Sequence, residues 1–282
     1  MFTFAFIHRH RTVVSPPIGA LIAAIAVAGG ASAQVGLGLA PMREELNMTP
    51  GAAHSGVLTL ANSSAQPVRV VTEMLDFYLD QTATPQFGRD YPQESEFSCR
   101  QWLVANPMEI ELNAKAQIPV RYTVRVPASA EGRSYHCAIG FTTQPRADEV
   151  KAIGLRTAVQ IVAAIYVVVG HPAPEGAVKD LKLEYLADAG APGWRAVVTI
   201  HNWSLMHFRP IGDLDVLNPD GAIVETAHFA PMPVLPKRDQ RFVFPLKLAG
   251  GTGQYTLRAR VDLGDNEIQE ATALVVATKP TP

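Results

Sequence analysis

The feature that most constrains this chain is its punctuation. After residue 33, short runs rich in Val, Thr, Ile, Leu and Tyr alternate apolar with polar positions, and Pro, Gly, Asn or Asp breaks them about every ten residues. Almost no segment carries the three-and-four spacing of an amphipathic helix. Strands are therefore expected at 56–61, 68–79, 101–104, 108–112, 120–126, 134–142 and 155–169, and again at 178–186, 194–202, 212–217, 222–228, 241–248, 254–263 and 270–277. Seven strands in each half match the count of an immunoglobulin-like sandwich. The expected fold is all-β, with two immunoglobulin-like β-sandwich domains in tandem. Between the halves, His171-Pro172-Ala173-Pro174-Glu175-Gly176 reads as a stiff linker, because its prolines cannot join a ladder. The domains are accordingly drawn at 34–170 and 171–282.

An internal repeat supports that division. Asn62, Ser64, Arg69 and Asp80 recur as Asn202, Ser204, Arg209 and Asp220, at an offset of 140. Arg121, Tyr122, Val124, Val126 and Tyr135 correspond to Arg241, Phe242, Phe244, Leu246 and Tyr255, at an offset of 120. The first half thus holds about 20 more residues than the second, assigned to a loop from Gln81 to Arg100. Asn and Ser close a strand at both places because their short polar side chains bond nearby backbone and favour a turn. Tyr135 and Tyr255 each follow a glycine-containing turn. The position matches the corner tyrosine of immunoglobulin-like domains, whose hydroxyl ties the turn to backbone upstream.

The first 33 residues read as a secretion signal. Arg9 and Arg11 give the positive flank, Ile18 to Ala28 an unbroken apolar run of eleven, and Ala31-Ser32-Ala33 a cleavage site. A spanning helix needs about 20 residues, so the run is too short for one. Such a leader places the mature protein in the periplasm. Loss of the two leader arginines leaves 22 basic residues (24 − 2) against 26 acidic ones, and a net charge of −4. No Lys/Arg cluster stands out, so nucleic acid is not an expected partner. The two cysteines, Cys99 and Cys137, lie 38 positions apart; an oxidising compartment lets them form a disulfide, with two buried free thiols as the alternative.

Little else carries chemistry. The histidines after the leader (His54, His136, His171, His201, His207 and His228) show neither an HxxxH spacing nor an acidic neighbour in a catalytic pattern. The stretch from His201 to His207 holds imidazole and thioether groups that suit copper, but it spans a strand end and a turn and reads as turn and core. Asp262-Leu263-Gly264-Asp265-Asn266-Glu267 lacks an EF-hand spacing and reads as a hairpin turn. No nucleophile elbow, phosphate loop or dinucleotide glycine pattern occurs. Neither an enzyme, nor a cofactor, a metal site or a small-molecule substrate is expected. Trp194 and Trp203 are too few and too core-like to make a carbohydrate platform.

One segment is unusual. Leu155 to Val169 (LRTAVQIVAAIYVVV) is about three times the ordinary strand length. Leu155, Thr157, Val159 and Ile161 point one way and alternate with Arg156, Ala158, Gln160 and Val162. A strand this long can outrun its own core and offer backbone to a partner strand. The alternative is a last strand fully paired at home.

The order of these features resembles the periplasmic chaperones of pilus assembly, a family with two immunoglobulin-like domains, over Leu37 to Gly170 and more loosely beyond. The opening Leu37-Gly38-Leu39-Ala40-Pro41-Met42-Arg43 is similar to that family's first strand. The resemblance implies that Arg43 anchors the terminal carboxylate of a client subunit. It also implies that Leu155, Thr157, Val159 and Ile161 complete the client's fold by strand donation. The partners it implies are protein subunits of a pilus or surface structure, and an outer-membrane usher. The family's second anchor, a lysine, falls by register on Ala164, and the aromatic-Arg-Pro ending is replaced by Val167-Val168-Val169-Gly170. The rival expectation is a structural or adhesive envelope protein with every strand satisfied internally.

Overall fold

Runs that alternate in the first half pair into two facing sheets in the computed structural model, which describes residues 36–80, 84–144, 158–186, 193–248, 251–265 and 267–278. One sheet has the order β1 (Leu37–Ala40), β3 (Ala53–Asn62), β8 (Gln117–Arg125), β6 (Leu103–Asn106). The other runs β2 (Arg43–Met48), β10 (Gln160–Val169), β9 (Ser134–Gln144), β4 (Val68–Leu79), β5 (Pro85–Gly88), with β7 (Glu109–Leu112) also on β4. The chain changes sheet at Pro41, between β1 and β2, and at Pro107, between β6 and β7. Proline has no N–H to give a ladder, so a strand broken there forfeits no donor.

Alternation decides which side chains meet between the sheets. Leu58 and Leu60 of β3 and Val120, Tyr122 and Val124 of β8 face Ile139 and Phe141 of β9 and Ile165, Val167 and Val169 of β10. Cys99 and Cys137 are joined by a disulfide inside this core. Cys137 belongs to β9, whereas Cys99 lies between two 3-10 turns, Pro92–Phe97 and Arg100–Trp102. Asp76 of β4 holds the same stretch through the Ser98 hydroxyl at 2.5 Å and the Arg100 guanidinium at 2.8 Å.

The second half repeats the plan with fewer strands. The sheet β11 (Gly176–Leu186), β12 (Gly193–Asn202), β15 (Asp239–Leu246) faces the sheet β14 (Ile223–His228), β13 (Ile211–Leu217), β16 (Gly253–Asp262), β17 (Ile268–Ala277). Val198, Ile200, Phe242 and Phe244 fill the space against Leu214, Leu257 and Val261. The chain is thus two immunoglobulin-like β-sandwiches in tandem.

The duplicated residues make duplicated bonds. Asn62 Nδ2 donates to the Leu112, Asn113 and Gln66 carbonyls, and its Oδ1 accepts from the N–H and hydroxyl of Ser64. Asn202 Nδ2 donates to the Val234 and Met206 carbonyls, and its Oδ1 accepts from the N–H and hydroxyl of Ser204. The Tyr135 hydroxyl donates to the Glu131 carbonyl at 3.2 Å, and the Tyr255 hydroxyl to the Gly251 carbonyl at 3.1 Å. Both are corner tyrosines.

Four expectations need correction. β1 and β2 are strands that alternation alone did not mark, because each is interrupted within six residues. The stretch 81–100 is not simply a loop, since β5 forms a hairpin with β4 and the Pro92–Phe97 turn follows. Trp203 is not a core residue. Its N–H is held by the Glu175 carbonyl while the turn at Asn202 aims the indole outward, 51% exposed; Trp194 is buried as expected. Among the described residues the long strand begins at Gln160, and Leu155 and Thr157 lie outside them.

Candidate functional site

The site is built around the start of β10. This strand pairs antiparallel with β9 along its whole length, from Gln160↔Thr142 to Val168↔Ser134. On its other side it pairs parallel with β2, but only from Ala164↔Arg43 to Val169↔Met48. Among the described residues, no strand pairs with Gln160–Ala163 on that side.

The ladder's phase shows which backbone groups face the gap. The Val159 carbonyl accepts from the Thr143 N–H, and the Val169 N–H donates to the Arg133 carbonyl, so odd-numbered residues bond toward β9. The Ala164 N–H donates to the Met42 carbonyl and the Gly170 N–H to the Met48 carbonyl, so even-numbered residues bond toward β2. In a strand this alternation is obligatory. Gln160 and Val162 therefore turn their N–H and C=O toward the gap, where β2 has not yet begun. The carboxyl-terminal six residues of β10 are zipped on both sides; the first four have one open edge.

Two of the expected partner-binding residues lie here. Val159 is half-buried, and its N–H donates to the Thr143 hydroxyl at 2.9 Å. Ile161 is half-buried and packs on the core of its own sandwich. Arg43 opens β2, its guanidinium on the outer face and its side chain 50% exposed. Directly across the ladder is Ala164, which brings no charge.

Behind Arg43 lies a cluster that the sequence did not announce. Glu45, two residues along the same face of β2, accepts from Arg209 Nη2 at 2.7 Å and Nε at 3.2 Å through Oε1. Its Oε2 is 2.9 Å from His207 Nε2. An ionised carboxylate only accepts, so Nε2 is the donor; Nδ1 lies 2.9 Å from the Ser134 hydroxyl. Ser134 also accepts the His207 N–H at 3.0 Å and donates its own N–H to the Leu205 carbonyl at 2.8 Å. Tyr166 of β10 stacks under both partners, its ring 4.8 Å from the imidazole and 4.9 Å from the Arg209 guanidinium. Burial pushes the Glu45 carboxyl up, but hydrogen bonds and positive charge from His207 and Arg209 outweigh it and hold the pKa below the usual range. The first sandwich is thereby tied to the second across 162 residues of chain.

The outer face between them is apolar. Leu75, Phe77, Ala138 and Tyr166 pack with Leu235 of the second sandwich, and Val162, Ala164 and Phe87 lie half-buried beside them. The gap beside Gln160–Ala163 is thus flanked by apolar side chains and a guanidinium. Sequence reasoning passed over Glu45 and Tyr166 and read His207 as a turn or core residue, because nothing local relates them. Arg209 was visible only as the repeat partner of Arg69. Among the described residues no group of three His, Cys, Asp or Glu side chains could hold a metal ion.

An edge open for four residues thus lies beside an arginine, on one of two tandem immunoglobulin-like sandwiches. No family model and no curated protein matches the chain. Solved structures do. The chain is similar to the class 5 fimbriae chaperone CfaA, at 13% identity over 87% of this chain and 100% of that one, with a TM-score of 0.44. The chaperone DraB of E. coli is 18% identical over 86% and 98%, with a TM-score of 0.38. The CsuC–CsuE chaperone–tip adhesion subunit pre-assembly complex, from the archaic chaperone-usher Csu pili of Acinetobacter baumannii, is 8% identical over 87% and 100%, with a TM-score of 0.44. A likeness at these scores carries no argument about function, so the functional reading rests on the geometry above.

Proposed function

We propose that this chain is a periplasmic chaperone-like protein that assists assembly of pilus or other surface subunits by lending them a β-strand edge. In this reading residues 1–33 are a removed leader, and 34–170 and 171–282 are the two domains. The observation that carries it is the open side of Gln160–Ala163, where two residues aim both backbone groups away from their own sheet. A subunit lacking one strand gains ladder bonds by adding there, and it buries apolar side chains worth roughly 1.5–3 kcal/mol each before ordering costs. Val159, with Leu155 and Thr157 upstream, would supply those side chains, joined by the part of Ile161 that its own core leaves uncovered. Arg43 would orient the client's terminal carboxylate by a bidentate pair. An usher would receive the loaded complex. No nucleotide, metal or other cofactor enters the scheme, because pairing and burial supply the free energy.

A second reading, a structural or adhesive envelope protein, is favoured by one observation. Ala164 faces Arg43 where a second cation would strengthen carboxylate capture. Backbone hydrogen exchange on the protein, free and co-expressed in a bacterial periplasm with the surface subunits encoded beside it, separates the two. The chaperone reading expects Gln160 and Val162 amides to exchange quickly in the free protein and to become protected in a one-to-one complex. Protection of both amides in the free protein, or a complex that leaves them unprotected, rejects it.

A further inference from the structure

The arrangement around Glu45 poses an electrostatic problem whose solution lies in the other sandwich. Arg43 and Glu45 project from the same face of β2, two residues apart, which is the distance at which opposite charges neutralise one another. Yet Arg43 Nε lies 3.8 Å from Glu45 Oε1, a loose ion pair too long for a hydrogen bond. The same oxygen is held at 2.7 Å by Arg209, whose side chain is only 18% exposed and whose Nη1 is fixed by the Pro231 carbonyl. The other oxygen is taken by His207. Arg43, Arg209 and Glu45 together carry a net charge of +1, and the exposed cation among them is Arg43. Across the ladder from it stands Ala164, and the open edge begins there.

We propose that the second sandwich keeps Arg43 available: Arg209 and His207 draw Glu45 away from it, so that Arg43 stands as a receptor for the carboxylate ending an apolar polypeptide. The proposal rests on the reading that Arg43 receives a client's carboxylate, and adds that Arg209, though not a contact of that carboxylate, is a positioning residue for it. If Arg209 is lost, Glu45 turns back to Arg43 and blocks it from within. Capture of an external anion is in this way coupled to the seating of one sandwich on the other.

The test uses acetate as the probe, titrated at constant ionic strength against the Arg43 Nε–H resonance of the full mature chain, assigned by its disappearance in Arg43→Lys. The wild-type protein is expected to show a saturable shift. Arg209→Met, which keeps an unbranched side chain over Tyr166, is expected to weaken acetate binding about fivefold, the size of an exposed ion pair. Glu45→Gln/Arg209→Met is expected to return it to the wild-type value, although the double variant has lost more of the tie. Glu45→Gln alone should bind at least as well as wild type. An Arg209→Met response equal to wild type, or a double variant that stays weak, overturns the proposal while leaving Arg43 as a carboxylate receptor. A wild-type protein whose Arg43 does not respond to acetate overturns both.

Discussion

The open edge can be tested by placing proline at two adjacent positions of β10. Val162 aims its N–H at the gap, so Val162→Pro removes no ladder bond. It costs the small strain of fixing φ near −65° in a strand and part of an apolar contact, about 1 kcal/mol together. Ala163 is fully buried, and the same phase turns its N–H toward Ile139 of β9, itself fully buried. Ala163→Pro loses that bond, leaves a buried carbonyl without its donor, and forces a ring into the core. The sum is about 3 kcal/mol or more. For a chain of this size 1 kcal/mol moves Tm by about 2–4 °C. Thermal unfolding followed by circular dichroism should therefore show a drop of about 2–4 °C for Val162→Pro and at least about 6 °C for Ala163→Pro. Client capture should be lost in Val162→Pro, which stays folded but has no outward donor. Equal losses of Tm in the two variants would mean that Val162 bonds a strand of its own molecule, and the reasoning from phase would be refuted.

Three further outcomes follow from other bonds. Asn202→Ala removes two donations and two acceptances at a fully buried side chain, and should cost about 3–4 kcal/mol in urea unfolding; a loss under about 1 kcal/mol would show that water replaces the side chain. Cys99→Ser/Cys137→Ser opens a link spanning 38 residues, worth about 4 kcal/mol by chain entropy alone, and should raise the urea sensitivity of the first sandwich. An unchanged midpoint speaks against that stabilisation. Because Glu45 has a lowered folded pKa, its contribution is complete above its ordinary value of 4.5 and disappears as pH falls through the lower folded value. The Tm difference between wild type and Glu45→Gln should accordingly be constant above that value and shrink toward zero in stronger acid. A gap that widens on acidification contradicts the assignment.

What the sequence made legible follows distance along the chain. Asn62 with Ser64, Asn202 with Ser204, and the two corner tyrosines act within four residues, so spacing alone displayed them, and their recurrence revealed the duplication. Alternation located the core faces of β3, β8 and β15 for the same reason, since a period of two is a local property. Pairing is not local. Nothing in LRTAVQIVAAIYVVV distinguishes a residue zipped on both sides from one with a bare flank, because that depends on where β2 begins, more than a hundred residues earlier. The tie among Glu45, Ser134, His207 and Arg209 was illegible for the same reason: each residue alone is an ordinary strand or turn residue. Arg43 was noticed through resemblance, and its exposure beside Ala164 became visible only with the register.

The linker ends in bonds to the second sandwich. Gly170 leaves β10 with φ +71°, a conformation that side chains with a Cβ rarely adopt, and five residues later the Glu175 carbonyl accepts from both the Trp203 and Ser204 N–H groups. The linker's end is thus held to the second sandwich, and the Glu45–His207 bond joins that sandwich to the first. In the proposed function, a guest polypeptide would meet walls already bonded to each other, and little of its binding free energy would go into arranging them. Severing the tie at His207 should then loosen such a guest chiefly by faster release.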